Sequence, residues 1–133
     1  MKINKIHQMD CMVGMEKIPD KSIDLILSDP PYGITSLKWD KKPDLEKLWV
    51  QYNRIIKDNG AIILTATCKF GKDLINSNPK YFRYDLVWEK TMSVGFPNAK
   101  RMPLRSHELI LVFYKKYFAE KAVFKGMTPI KTD

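Results

Sequence analysis

Histidine and cysteine are scarce in this sequence of 133 residues, with only His7, His107, Cys11 and Cys68 and no Cys-x-x-Cys pair. Four such residues at these spacings cannot build a structural zinc site, and two isolated thiols cannot build a disulfide scaffold, so no metal is expected. Long apolar runs are missing as well. The opening Met1-Lys2-Ile3-Asn4-Lys5-Ile6 has no secretory-type apolar segment, and no later run approaches the roughly 20 residues that span a bilayer. The expected compartment is the cytoplasm, with reduced thiols. Acidic residues are thin in one region: between Lys90 and Lys131 only Glu108 and Glu120 oppose nine Lys and Arg. Almost all of the chain's net charge of +8 therefore sits in its last third. Such an asymmetry suits either a solvated surface or a face that follows a phosphate backbone.

What is present is the composition of one globular domain, 44% hydrophobic and 29% charged. At this length folding buries roughly two thirds of the unfolded chain's surface, enough for a core without staples. Neither an internal repeat nor a low-complexity segment is visible, and one domain over residues 1–133 is expected.

Short apolar runs alternate with amphipathic ones. Ile3 to Met9 reads as a strand, and Cys11 to Ile18 as a short helix ended by Pro19, with Met12 and Met15 turned to the core. Ser22 to Ser28 is a nearly continuous apolar run, a buried strand stopped by Pro30 and Pro31, which cannot donate to a ladder. Asp44 to Lys57 places Leu45, Leu48, Trp49, Tyr52, Ile55 and Ile56 at helical spacing, with Asp58-Asn59-Gly60 as its stop. Ala61 to Leu64 is a second buried strand, and Phe70 to Ser77 a helix stopped near Pro79. Tyr84 to Trp88 and Leu109 to Tyr114 are two further strands, and Glu89 to Ser106 between them reads as a long functional loop. Trp49 and Trp88 are expected in the core. Alternating strands and helices predict a doubly wound α/β sheet, in which ligands gather at the carboxyl ends of the strands.

That rule draws attention to Asp29-Pro30-Pro31-Tyr32-Gly33, directly after a buried strand. Two prolines fix two φ angles near −65°, so a carboxylate and an aromatic ring are held at a set separation by a stiff spacer. A nucleobase amino group requires this pairing. Its nitrogen lone pair is delocalised into the ring; acceptors on its N–H groups, here the Asp29 carboxylate and the Pro30 carbonyl, return density to the nitrogen. Tyr32 offers a stacking surface to a base flipped out of a duplex, worth about 1 to 3 kcal/mol.

The sequence resembles the amino-group DNA methyltransferases that modify adenine N6 or cytosine N4, notably their phage and prophage members. The resemblance runs from about Ile6 to Lys116. It is carried by Asp10-Cys11, by Ile18 to Leu25 leading into Asp29-Pro30-Pro31-Tyr32-Gly33, and by Val87-Trp88-Glu89-Lys90, Asn98-Ala99-Lys100, Pro103 to Glu108 and Val112 to Lys116. It implies a Rossmann-like, three-layer α/β/α methyltransferase sheet and S-adenosylmethionine as cofactor. Asp29, Pro30, Pro31 and Tyr32 become the catalytic positions. Asp10, Cys11 and Asp29 would contact the cofactor, Asp10 near its adenine and Asp29 near its methionine part. The aspartate form leans toward adenine N6, since cytosine N4 enzymes more often carry serine there. Lys100, Arg101 and Arg105 would approach the phosphates of double-stranded DNA bearing a flipped base.

One feature departs from that family. Members with this motif order carry a Phe-x-Gly-x-Gly cofactor loop later in the chain, whereas the six glycines here, Gly14, Gly33, Gly60, Gly71, Gly95 and Gly126, include no pair separated by one residue. The expectation is an incomplete sheet: the catalytic half of an enzyme whose cofactor-loop half is missing, supplied by a second segment or polypeptide, with a dimer and a restriction partner both open. RNA adenine or protein glutamine methylation, and a non-catalytic nucleic-acid-binding remnant, are the competing functions. Asp10 also suits a helix N-cap, His107-Glu108 a hydrogen-bonded strand start, and Trp39-Asp40 either a pocket wall or a loop cap.

Overall fold

The computed structural model describes residues 3–116; of the basic residues counted above, Lys121, Lys125 and Lys131 lie outside them. The described chain runs α1 (Cys11–Glu16), β1 (Ile23–Ser28), α2 (Leu45–Ile55), β2 (Ile56–Ala66), α3 (Cys68–Ser77), β3 (Phe82–Val94), a 3-10 turn (Phe96–Asn98) and β4 (Arg105–Tyr114). No helix among the described residues is long and apolar enough to cross a membrane.

The sheet order is β1-β2-β4-β3. β1 and β2 are parallel, joined through α2, while β4 lies antiparallel to both β2 and β3. The sheet is therefore mixed and not wholly parallel, because β3 and β4 form a hairpin whose return strand inserts beside β2. β1, β2 and β3 consequently share one direction, and their carboxyl ends, at Ser28, Ala66 and Val94, lie at the same edge.

One core holds the helices to one face. Leu48, Trp49, Tyr52 and Ile55 of α2, Phe70 and Leu74 of α3 and Met15 of α1 bury against Ile62, Leu64, Ala66, Leu111 and Phe113 of the sheet. Phe113 is the centre of an aromatic cluster, 4.8 Å from Trp49 and 5.6 Å from Phe82 between ring centroids. The cross-strand register puts Leu25, Leu27, Ile63, Ile110, Leu86 and Trp88 on the opposite face, where Leu27 is 69% exposed. The second helical layer expected from the resemblance is not among the described residues.

Local chemistry sets the element ends. The Asp10 carboxylate accepts from the Met12 and Val13 amides and caps α1. At its far end, Arg54 of α2 donates to the Met15 and Ile18 carbonyls, adding to the Ile18 amide that the Met15 carbonyl already accepts. Asp44 caps α2 at the Lys47 amide.

Four expectations are corrected. Ile3 to Met9 forms no strand: Ile3 and Ile6 are exposed, and no neighbouring edge pairs with the segment. Asp58-Asn59-Gly60 does not stop α2, which passes straight into β2 at Ile56. Those three residues lie in a bulge where the register moves from Ile23↔Ile56 to Leu25↔Ala61. The segment from Glu89 to Ser106 is not one long loop. β3 continues to Val94, and seven residues of it with four of β4 extend past the end of β2 as a two-stranded ribbon, projecting about 13 Å. Finally, Trp88 is 48% exposed, whereas Trp49 is buried as expected.

Candidate active site

Asp29 stands one residue beyond β1, at the carboxyl edge of the sheet, and the strand cannot continue through Pro30 and Pro31. Its Oδ1 is held by two hydroxyls. Tyr32 donates to it at 2.8 Å, and Thr65, at the carboxyl end of β2, donates to it as well. The Tyr32 hydroxyl also reaches Thr65 Oγ1 at 2.9 Å. Two hydroxyl hydrogens thus serve a triangle of three oxygens, with the carboxylate as the common acceptor. Burial pushes the Tyr32 phenol well above its ordinary range; the Thr65 hydrogen bond opposes this, and the Asp29 and Glu108 charges add to it. The phenol stays a proton donor to Asp29 throughout the neutral range. Its ring packs 5.4 Å from Phe70 of α3.

The loop after Tyr32 closes on itself. Gly33 has φ +67°, a left-handed conformation that a side chain would strain. It starts a turn in which three successive amides, of Gly33, Ile34 and Thr35, and the Thr35 hydroxyl all donate to the buried Asp40 carboxylate at 2.7 to 3.0 Å. The Thr35 hydroxyl foremost, and then these amides, hold the Asp40 carboxyl down at about 2. Lys42 pairs with Asp73 of α3 and lies 5.7 Å from the Phe70 ring centroid, tying the loop to the scaffold.

Asp29 separates two clefts. One, of about 360 Å³, is lined by Asp29, Pro30, Pro31, Tyr32, Ile34, Thr35, Trp39 and Asp40. The other, of about 420 Å³, lies on the open sheet face between Leu27, Ser28, Thr65, Trp88 and Ile110. Lys90 pairs with Glu108 across the base of the ribbon and sits over the Trp88 ring at 5.5 Å.

The structure thus brings Asp29, Pro30, Pro31 and Tyr32 together around one cleft. Asp10 and Cys11 are exposed at the start of α1, with Asp10 engaged as the helix cap. Burial pushes the Tyr52 phenol of α2 above its ordinary range, and a hydrogen bond with Ser28 at the end of β1 opposes this. Lys100, Arg101 and Arg105 are exposed at the ribbon tip, at the edge that also carries Asp29. Of the two roles open to Trp39-Asp40, the structure gives one to each: Asp40 caps the loop and Trp39 lines the cleft. Thr65 is the functional residue that sequence reasoning does not reach: the register that pairs Ser28 with Leu64 sets it opposite Asp29, a juxtaposition that no local pattern carries. Among the described residues no cluster of His, Cys, Asp and Glu could hold a metal.

Comparison with known proteins bears on the family and the fold. A sequence model of the DNA methylase family matches residues 23–131. The Type II methyltransferase M1.MboII of Moraxella bovis is 29% identical over 125 residues, which cover 86% of this chain and 47% of that protein. Among solved structures, the PvuII DNA methyltransferase, described as cytosine-N4-specific, superposes with a TM-score of 0.59 at 15% identity, over 81% of this chain and 48% of that one. M1.HpyAVI, solved as a complex with SAM, gives a TM-score of 0.54 at 20% identity, over 72% and 46%. The present chain spans about half the length of these proteins, and the structural likenesses bear on the fold.

Proposed function

Because this chain belongs to the DNA methylase family, we propose that it is the catalytic half of an S-adenosylmethionine-dependent methyltransferase of the modification type, acting on the exocyclic N6 of adenine in DNA. The observation that carries this is the Asp29 carboxylate, held at the carboxyl edge of the sheet by Thr65 and Tyr32 and opening onto a cleft beside Tyr32.

Both hydroxyl bonds fall on Oδ1, so Oδ2 is the oxygen that turns to a substrate N–H, with the Pro30 carbonyl as second acceptor. Withdrawing both N–H hydrogens toward oxygen localises the amino lone pair, and attack on a methyl group is then direct, with no covalent enzyme intermediate. Methylation leaves the nitrogen positively charged; its surplus proton passes to Asp29 or to solvent, which restores the neutral amine. Tyr32 supports the flipped base from one side. The preference for adenine rests on aspartate at position 29, where the resemblance associates serine with cytosine N4.

S-adenosylmethionine, when bound, would supply the electrophilic sulfonium methyl and would leave as a neutral thioether holding the electron pair of the broken carbon–sulfur bond. This chain offers part of a site for it: the exposed Asp29 carboxylate suits its ammonium group, and the Asp10 carboxylate, whose two helix bonds both fall on Oδ1, retains Oδ2 for a ligand donor. The glycine loop of the family would come from outside these 133 residues, from a further segment or a second polypeptide. Lys100, Arg101 and Arg105 would hold DNA phosphates beside the cleft.

Mass spectrometry after incubation with methyl-labelled cofactor tests the substrate: the label is expected in N6-methyladenine of DNA. Label in N4-methylcytosine, in RNA or in protein glutamine would replace the proposed substrate.

A further inference from the structure

Trp39 is 70% exposed, yet its backbone lies within a hydrogen-bonded turn. Its neighbour Asp40 is buried and receives three consecutive amides. The Asp40 amide donates to the Leu37 carbonyl at 3.0 Å, and the Lys41 amide to the carbonyl of Trp39 itself at 2.9 Å. A large apolar ring is therefore presented to water by a fixed turn. It lines the same cleft as Asp29 and Tyr32.

Tyr32 cannot enclose a base alone. Its hydroxyl is committed to Asp29 and Thr65, and its ring leans on Phe70, leaving it to form one wall. A flipped base is desolvated on both faces only if a second wall is available, and such bases are held by stacking between aromatic or apolar side chains. Ile34 and Thr35 offer no ring.

We infer that Trp39 is the second aromatic wall of the target-base pocket, with Asp40 as the positioning residue that fixes its backbone. This rests on the assignment of the cleft to a flipped nucleobase. The indole stacks on the π-face common to all bases, so Trp39 contributes grip on the base, while the choice of base stays with the groups that meet its edge.

The test uses the full chain, as wild type, Trp39→Phe and Trp39→Ala, with two single-stranded probes of nine nucleotides. One is abasic throughout; the other carries a single central deoxyadenosine. Both present the same phosphates, so their affinity ratio reports one base. Wild type is expected to prefer the adenine-bearing strand. Trp39→Ala should lower affinity for that strand about 5- to 150-fold, the span that stacking of 1 to 3 kcal/mol per base represents. It should leave the abasic strand unchanged, and Trp39→Phe should retain most of the preference. If Trp39→Ala keeps the wild-type preference, the base is held elsewhere and the inference fails while the cleft's assignment stands. If Trp39→Ala weakens both strands equally, Trp39 acts on the backbone or the fold and the inference again fails. If wild type does not distinguish the strands, the assignment of the cleft to a base fails first.

Discussion

Replacing Thr65 by valine removes one hydroxyl from the site and almost no volume. Thr65 is 8% exposed, donates to Asp29 Oδ1 and accepts from Tyr32. A hydrogen bond to a charged acceptor contributes about 1.5 to 3 kcal/mol. Two features reduce that figure here. Asp29 remains exposed to solvent, which screens it, and the Tyr32 hydroxyl keeps its own 2.8 Å bond to the same oxygen, so the carboxylate is not orphaned. The expected loss for Thr65→Val is therefore about 1 to 2 kcal/mol, a fall of roughly 3 to 8 °C in Tm for a domain of this size. Urea denaturation of a double-mutant cycle isolates the cause. In an Asp29→Ala background, Thr65→Val should cost about 1 kcal/mol less than in wild type, because its acceptor is already gone. An equal cost in both backgrounds would show that Thr65 acts through packing and that it does not hold Asp29.

Three further outcomes follow from the geometry. Gly60→Ala should destabilise markedly, since its Cβ would stand 2.8 Å from the Asp24 carbonyl oxygen, whereas Gly71→Ala within α3 meets nothing closer than 3.5 Å and should gain about 0.5 to 1 kcal/mol in thermal or urea melts. The Asp40 carboxyl is depressed from 3.8 to about 2, so its contribution is complete above pH 4 and is lost as pH falls toward 2; NMR shifts of the Gly33, Ile34 and Thr35 amides should move with a midpoint near 2, and a midpoint near 3.8 would contradict the loop geometry. Neutralising Lys100, Arg101 and Arg105 together should lower the slope of log affinity for duplex DNA against log salt by about 2 to 3, at roughly 0.9 per phosphate contact; an unchanged slope would remove the ribbon tip from the DNA interface.

Much of this architecture was legible because single residue types force it. The apolar stripe of α2 leaves few alternatives, and Pro30-Pro31 must end β1 wherever it lies, so the place of Asp29 followed from sequence; the burial of β1 did not, since its continuous apolar run reads as a buried strand while Leu25 and Leu27 face the open side of the sheet and are exposed. The ribbon did not, since Gly95, Pro97 and Asn98 read as loop residues while the pairing of Val94 with Arg105 is a non-local choice made after a register shift. The direction of β4 was equally hidden: an apolar strand looks alike whether it runs parallel or antiparallel. Trp88 illustrates the reverse error, an aromatic residue in a strand whose outer face is open. The Thr65 and Asp40 bonds depend on residues brought together by the turn and the sheet, and no local pattern shows them.

The central claim, that Asp29 activates the nucleophilic amino group, is tested most directly by methyl transfer to DNA from labelled S-adenosylmethionine, using an enzyme that contains this chain as wild type and as Asp29→Ala. The predicted result is loss of transfer with an unchanged circular dichroism spectrum. Turnover near the wild-type rate in Asp29→Ala would contradict the mechanism.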